Sequence, residues 1–382
     1  MKKIKIGVIT EYYNSTNFGG LLQAYALCKV LNEMGFDTEQ ICFSKSKLIS
    51  NPWPNRLKNI YKPKYVLNYI YSKIQGCLLR RIFRKKNYYT SLFRNNLIPH
   101  SKEVYDESNI TNTNSLYDIF IVGSDQVWNP DWYNKGYSLS FVCEGKGKIS
   151  YAASISKDSL SDKEKNTFAH DLQTYDAISV REKKSVKLLQ PLVNKKVEYV
   201  LDPTLLLSVD EWNSVSCSNI EYKDYIFCYF LGNNRNARRL VKEFAKNRKM
   251  KIITIPFLSG LRIGDFLFGN IKEYNIYPEK FLSLIKNARY VFTDSFHASL
   301  FSLLFKKKVV CFHRNSKHEM GSRIISLFDL FESEYRFCNS SKHETIEYVE
   351  SVINNEYSNP ARLNLMLKKS FEYLTNSLTV IK

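Results

Sequence analysis

Between Ile41 and Lys102 this 382-residue chain contains no aspartate and no glutamate. The same stretch holds fourteen lysines and arginines, so one segment carries most of the formal net charge of +19. Other absences bound the fold class. No run approaches the roughly 18 apolar residues that a membrane span needs. The eight cysteines form no CxxC pair, and Cys28, Cys228 and Cys311 sit inside apolar runs, which fits reduced thiols better than a disulfide scaffold. Of six histidines only His313 and His318 lie close together, with no cysteine or carboxylate at a ligand spacing, so no metal site is expected. Neither the GxGxxG fingerprint nor a P-loop is present, and no nucleotide cofactor is indicated. The N-terminal Met1-Lys-Lys-Ile-Lys-Ile is basic and then apolar, but Glu11 ends the apolar part early, and it reads as a buried strand rather than a signal peptide. A cytoplasmic protein is expected.

The acid-free segment also interleaves Trp53, Tyr61, Tyr65, Tyr69, Tyr71 and Phe83 with Val66, Ile70, Ile74, Leu78 and Ile82 at helical spacing. A basic amphipathic helix with aromatics suits an anionic lipid surface, which would hold the protein peripherally on the inner face of the plasma membrane. Single-stranded nucleic acid is the competing partner. No helix-turn-helix, RNA-recognition or zinc-finger pattern supports it, so nucleic acid is not expected. A merely solvated basic face is the simplest reading.

Elsewhere strands and helices alternate as βαβ units require. Ile4–Thr10, Asp37–Phe43, Tyr117–Gly123, Lys148–Ser154, Ala177–Val180 and Val197–Leu201 read as strands, with helices at Leu21–Met34 and Asp162–Thr174. Together they predict a doubly wound, Rossmann-like domain over residues 1–207, with the basic helical insert at about 44–102. A polar stretch of low periodicity at Ser208–Lys223 predicts a linker. A second Rossmann-like domain follows over 224–345, and a helix near Arg362–Leu374 within 346–382 is expected to fold back on the first domain. The fold class is α/β, two doubly wound domains facing a cleft.

Ligands in open α/β sheets bind beyond the carboxyl ends of the strands, and four polar clusters fall there. Asn17, Gly19, Gly20 and Gln23 lead from a loop into a helix, where paired glycines let a backbone approach a ligand. Ser124, Asp125, Gln126, Trp128 and Asn129 follow an apolar strand; the polar groups suit sugar hydroxyls and Trp128 suits stacking on a sugar ring. Asp125 fits a catalytic base or a turn cap equally well. Arg181 stands where a strand meets a helix, placed for bidentate anion binding. A structural Arg181–Glu182 contact is less natural, because neighbours do not face one another on a helix. Asp202 before Pro203 reads as a turn. Thr293-Asp294-Ser295-Phe296-His297 opens an apolar helix: Asp294 or Ser295 can cap it, the helix start favours an anion, and His297 adds an acid–base group.

Asn17-Phe-Gly-Gly-Leu-Leu-Gln-Ala-Tyr-Ala-Leu, Gly123-Ser-Asp-Gln-Val-Trp-Asn-Pro, Ser150-Tyr-Ala-Ala-Ser, Val180-Arg-Glu, Leu201-Asp-Pro-Thr-Leu-Leu and Thr293-Asp-Ser-Phe-His, in this order, resemble the polysaccharide pyruvyl transferase family. The resemblance implies a GT-B-like pair of domains, the first on the acceptor side and the second on the donor side. It implies phosphoenolpyruvate as donor substrate without a further cofactor, and a pyruvate ketal built on two hydroxyls of a capsular, exopolysaccharide or cell-wall glycan precursor. Assembly of such units on polyprenyl diphosphate would bring the acceptor to the membrane. On this resemblance His297 and Asp125 are the candidate catalytic groups; Arg181, Asp294, Ser295 and Arg323 the donor-binding groups; and Asn17, Gly19, Gly20, Gln23, Ser124, Gln126, Trp128 and Asn129 the acceptor-binding groups. Many relatives carry Arg-Leu-His where this chain has Ser295-Phe296-His297, although one branch shares Ser-Phe-His. Arg323, Arg314 or Lys317 is then expected to supply the missing guanidinium or ammonium. A GT-B glycosyltransferase using a nucleotide-sugar is the alternative.

Overall fold

The computed structural model describes residues 3–45, 63–218, 220–257, 263–314, 321–338, 344–355 and 360–379, with backbone alone for 63–79, 263, 266, 321 and 322. Strands β1 (Lys5–Ile9), β2 (Asp37–Phe43), β3 (His100–Tyr105), β4 (Ile119–Val122) and β5 (Gly147–Ser150) form a parallel sheet in the order β3-β2-β1-β4-β5. A short pair, β6 (Ile178–Val180) and β7 (Val197–Tyr199), continues it through bridges at Ile149–Ala177 and Ala153–Val180. The second half repeats the winding. Strands β8 (Tyr225–Tyr229), β9 (Lys251–Thr254), β10 (Ile271–Lys272), β11 (Tyr290–Thr293), β12 (Lys308–Phe312) and β13 (Phe337–Cys338) run in the order β10-β9-β8-β11-β12-β13. Each sheet therefore has a topological switch point, between β1 and β4 and between β8 and β11, and the crevice beyond it is where such sheets bind ligands. The central strands β4 and β8 are buried along their whole length, as parallel strands covered on both faces must be.

Three local departures from the sequence reading have physical causes. Helix α1 (Phe18–Glu33) starts three residues before the expected Leu21, because the Asn17 side chain accepts from Gly19 N at 3.1 Å and caps it there. Gly19 and Gly20 thus belong to the first helical turn, not to a loop. The expected linker holds a helix at Val209–Val215, opened by a capping box of Ser208 and Glu211. Its Trp212 is fully buried and packs on Tyr25 of the first half and Phe301 of the second. Strand β3 is an edge strand with three exposed residues in its middle, a pattern with too few apolar positions to read as a strand.

The two halves share one apolar cluster. Phe18 of α1 lies 5.2 Å from Phe281 and 6.3 Å from Tyr229 between ring centroids. The final helix, Ala361–Thr379, returns to the first half, where the Tyr373 hydroxyl donates to Ser150 O at 2.8 Å and Ser370 Oγ accepts from Leu201 N at 3.0 Å.

The basic insert forms helix α2 (Pro63–Leu97). Trp53, Tyr61 and the side chains of Tyr65, Val66, Tyr69, Ile70, Tyr71, Ile74 and Leu78 lie outside the described residues. The C-terminal part of α2 bridges the halves: Phe93 packs on Tyr25, Tyr89 on Tyr277, and Arg94 covers Tyr13. Lys86 places its Nζ 4.6 Å from the centre of the Phe18 ring and forms no ion pair among the described residues. Burial lowers its pKa from 10.5 to about 8. A lysine whose native pKa lies below its unfolded value carries a penalty that is complete below pH 8 and disappears as pH rises past the unfolded value. Lys86→Met is therefore expected to stabilise the protein by roughly 1–3 kcal/mol at pH 7. Melting curves should show the gain shrinking between pH 8 and about 10.4; no gain at pH 7 would contradict a desolvated ammonium.

Candidate active site between the two halves

The helix Phe296–Leu304 leaves β11 through Ser295, whose N–H donates to Thr293 Oγ1 at 3.0 Å and whose Oγ accepts from Ala298 N at 3.5 Å. The cap of this helix is thus Ser295. His297, in the first turn, reaches across to the first half. Its imidazole lies directly on Gly19, where a Cβ would stand 2.0 Å from His297 Nδ1. Glycine at this position lets the ring seat against the α1 backbone. His297 is 8% exposed, and its Nε2 has no hydrogen-bond partner and lies 3.7 Å from Asp202 Oδ2.

Asp202 in turn belongs to a buried charge cluster around Arg181. Arg181 donates from Nη1 to Asp202 Oδ2 at 2.7 Å, from Nη2 to Asp125 Oδ1 at 3.4 Å and from Nε to Glu182 Oε1 at 3.4 Å. The guanidinium also lies 4.6 Å from the centre of the Phe296 ring. Burial opposes the charge on Arg181, but Asp202, Glu182 and Asp125 together outweigh it and raise its pKa. Burial likewise opposes ionisation of Asp202; His297 and Arg181, with the Thr204 hydroxyl, outweigh it and hold the carboxyl well below the usual carboxylate range. Glu182 is held by the Ser154 hydroxyl at 2.6 Å and the Ser185 hydroxyl at 3.1 Å. Arg181 is accordingly a brace for three carboxylates rather than an open bidentate clamp. Its contact with Glu182 forms because Arg181 ends the β6 segment and the next helix starts only at Lys183, so helical geometry does not separate them.

The second half contributes cations. Arg314 Nη2 donates to Asp294 O at 2.8 Å and lies 3.7 Å from Asp294 Oδ1, and the Arg323 guanidinium stands 5.8 Å from the Phe296 ring centre. Burial pushes the Arg323 pKa down, and Arg181 and Arg314 push it further, so an anion bound among them relieves this repulsion. Arg314 and Arg323 are brought to the same helix start as Ser295; Lys317 lies outside the described residues. Asp294 does not face a donor. Its carboxylate is fully buried and accepts from Leu231 N at 2.7 Å and Gly232 N at 2.6 Å, tying β11 to β8 at the switch point. Ser295 is buried and occupied by capping.

Several expected acceptor contacts are structural instead. The Trp128 ring is fully buried among Phe168 and Tyr175, with Nε1 donating to Tyr137 O at 3.2 Å, so it cannot stack on a sugar. Asn129 is buried and its Oδ1 caps a turn at Asp131 N. Gln23 is a buried strut: Nε2 donates to Thr10 Oγ1 and Gly20 O, and Oε1 accepts from Ser124 N. Ser124 is buried behind the cluster, donating to Ala152 O at 3.1 Å and reaching Asp202 Oδ2 at 3.4 Å. Asn17 is the α1 cap, and Gly20 makes room for the Glu11 carbonyl, 2.9 Å from where its Cβ would lie. Asp125 sits in the left-handed region at φ 64°, and Gln126 is half-exposed beside it. Asp202 escaped the sequence reading because Asp-Pro is a common turn; its place in the Leu201-Asp-Pro-Thr motif was the available signal.

The model of the polysaccharide pyruvyl transferase family matches residues 17–316, the span from the α1 cap through the His297 helix to Arg314 and just beyond. This chain belongs to the polysaccharide pyruvyl transferase family. As a family member it is a transferase acting on polysaccharide. No curated protein matches it. Among solved structures, the UDP-GlcNAc 2-epimerase of Methanocaldococcus jannaschii is similar over 98% of this chain and 100% of its own, with TM-score 0.55 and 12% identity. The Neisseria meningitidis UDP-GlcNAc 2-epimerase, bound to UDP-GlcNAc, is similar over 98% of this chain and 100% of its own, with TM-score 0.51 and 11% identity. These likenesses establish the GT-B fold for this pyruvyl transferase family member and carry nothing about its substrate.

Proposed function

We propose that this protein transfers pyruvate from phosphoenolpyruvate onto two hydroxyls of a sugar as a ketal, in a capsular, exopolysaccharide or cell-wall glycan precursor. The observation that carries the proposal is the His297 imidazole, seated on Gly19 between the halves with Asp202 behind it and three guanidiniums near its helix start. Ketal formation needs a proton delivered to the donor's methylene carbon, addition of one sugar hydroxyl to the resulting cationic carbon, departure of phosphate, and addition of the second hydroxyl. Each addition releases one hydroxyl proton. A histidine suits this traffic because it exchanges protons near neutral pH. His297 acts as the acid toward the donor or as the base toward an acceptor hydroxyl, and ionised Asp202 stabilises its imidazolium. Arg314, Arg323 and the Phe296–Leu304 helix start hold the donor's phosphate and carboxylate, with Arg181 orienting Asp125 and Asp202. Asp125 and Gln126 face the acceptor. Thermal-shift titration tests the donor: phosphoenolpyruvate is expected to raise Tm where UDP-sugars do not, and the reverse order would favour a nucleotide-sugar glycosyltransferase.

The basic helix α2 gives this reading a membrane side. Arg80, Arg81, Arg84 and Lys85 are exposed and, among the described residues, form no ion pair, and no helix there is long and apolar enough to cross a membrane. In the proposal α2 docks the enzyme on anionic lipid beside a polyprenyl-diphosphate-linked acceptor. Flotation with liposomes containing anionic lipid is expected to carry the protein at low salt and release it at high salt; equal flotation with neutral liposomes would count against docking by charge.

A further inference from the structure

One cluster at the same sheet edge, Gln126 apart, has no part in the chemistry above. Glu11 lies two residues past the end of β1 and Lys45 two past the end of β2, while Gln126 and Trp132 follow β4. They flank the switch point of the first sheet on its β2 side, whereas Arg181 stands at the end of β6 on the other. Lys45 Nζ lies 2.9 Å from Glu11 Oε1, and 5.4 Å and 5.3 Å from the centres of the Trp132 and Tyr137 rings. Trp132 Nε1 donates to Gln126 O at 2.9 Å, which fixes the indole. The Glu11 and Lys45 side chains keep 38% and 35% exposure, so the pair is not sealed from solvent. The Glu11 carbonyl abuts Gly20, the residue after the glycine under His297. The Glu11 backbone therefore packs on α1 one residue from the glycine that seats the imidazole.

We propose that Glu11, Lys45, Gln126 and Trp132 form the acceptor subsite and that it takes a neutral pyranose. This rests on the transferase reading above. The charges decide the class of sugar. Glu11 and Lys45 neutralise one another, and Asp125 shares Arg181 with Asp202 and Glu182, so this side offers donors, acceptors and an aromatic surface with no surplus positive charge. A sugar hydroxyl both donates and accepts, and so can bond a carboxylate or an ammonium at the edge of an ion pair. A uronate would set its own carboxylate against Glu11. The indole of Trp132, rather than that of the buried Trp128, meets the C–H face of the ring.

Ligand-observed NMR titration of the full chain with methyl galactoside, methyl glucoside, methyl mannoside and methyl glucuronide tests this. At least one neutral glycoside is expected to bind roughly tenfold more tightly than the glucuronide. Trp132→Ala and Glu11→Gln are each expected to weaken that glycoside roughly tenfold, with Trp132→Phe keeping most of the affinity. The Tm shift produced by inorganic phosphate, measured in parallel, should survive in all three variants and shows that they are folded. Undiminished glycoside binding in Trp132→Ala and Glu11→Gln, a preference for the glucuronide, or no binding of any neutral glycoside overturns the subsite. If the glycosides behave as expected while phosphoenolpyruvate neither binds nor reacts, the subsite stands and the pyruvyl donor falls.

Discussion

His297→Ala is expected to lower kcat for pyruvyl transfer by about 10²–10⁴-fold, the range that a positioned proton donor or acceptor supplies. The ring lies between the halves: it rises from the first turn of the second half's helix and rests on Gly19 of the first. Asp202, 3.7 Å away and ionised far below neutral pH, favours the imidazolium that forms when His297 takes a proton. The phosphate-induced Tm shift should persist in the variant, because Arg314, Arg323 and the helix start do not depend on the ring. His297→Gln separates chemistry from filling: it restores volume over Gly19 without an acid–base group and should be as slow as alanine. Turnover of either variant within tenfold of wild type would place the proton transfer elsewhere.

Gly19→Ala is expected to be strongly damaging although it places alanine in a helix. At an ordinary position in the first turn of a helix, alanine is preferred over glycine by up to about 1 kcal/mol. Here the new methyl would stand 2.0 Å from His297 Nδ1 and 2.4 Å from Cγ. No rotation of a methyl relieves that, so the imidazole must leave its seat or the two halves must part. Overpacking of this kind costs about 1–3 kcal/mol, which outweighs the gain in helix propensity and reverses the sign. Chemical denaturation should show the loss, and kcat should fall as far as in His297→Ala because the ring is displaced. If Gly19→Ala proves stabilising and active, the imidazole does not rest on α1, and the composite site is wrong.

The fold was legible where apolar runs are continuous. β2 matches its expected span of Asp37–Phe43 to the residue, and both windings follow from strands that are buried on two faces. β3 was not legible because this edge strand shows Lys102, Glu103 and Val104 to solvent in succession, without the alternation of a half-buried strand, and the Val209–Val215 helix was hidden in a polar stretch although Ser208 and Glu211 spell its capping box. In the site, residue types were easier to read than their partners. His297, Arg181 and Asp125 stand at strand ends and helix starts, positions that local sequence marks. Trp128 stands there too, yet its ring turns into the core, since an aromatic at a strand end packs inward as readily as outward. Asp202, Glu11 and Trp132 acquire meaning only from neighbours that the winding brings to them, Arg181 and His297 for the first and Lys45 for the others.

Incubation with phosphoenolpyruvate and a lipid-linked, galactose-type oligosaccharide, followed by phosphate release and by mass spectrometry of the oligosaccharide, tests the proposed activity most directly. One phosphate released for each ketal-linked pyruvate gained, dependent on the acceptor and abolished in His297→Ala, is the predicted result. Transfer of a sugar from a nucleotide-sugar with phosphoenolpyruvate left untouched would contradict it.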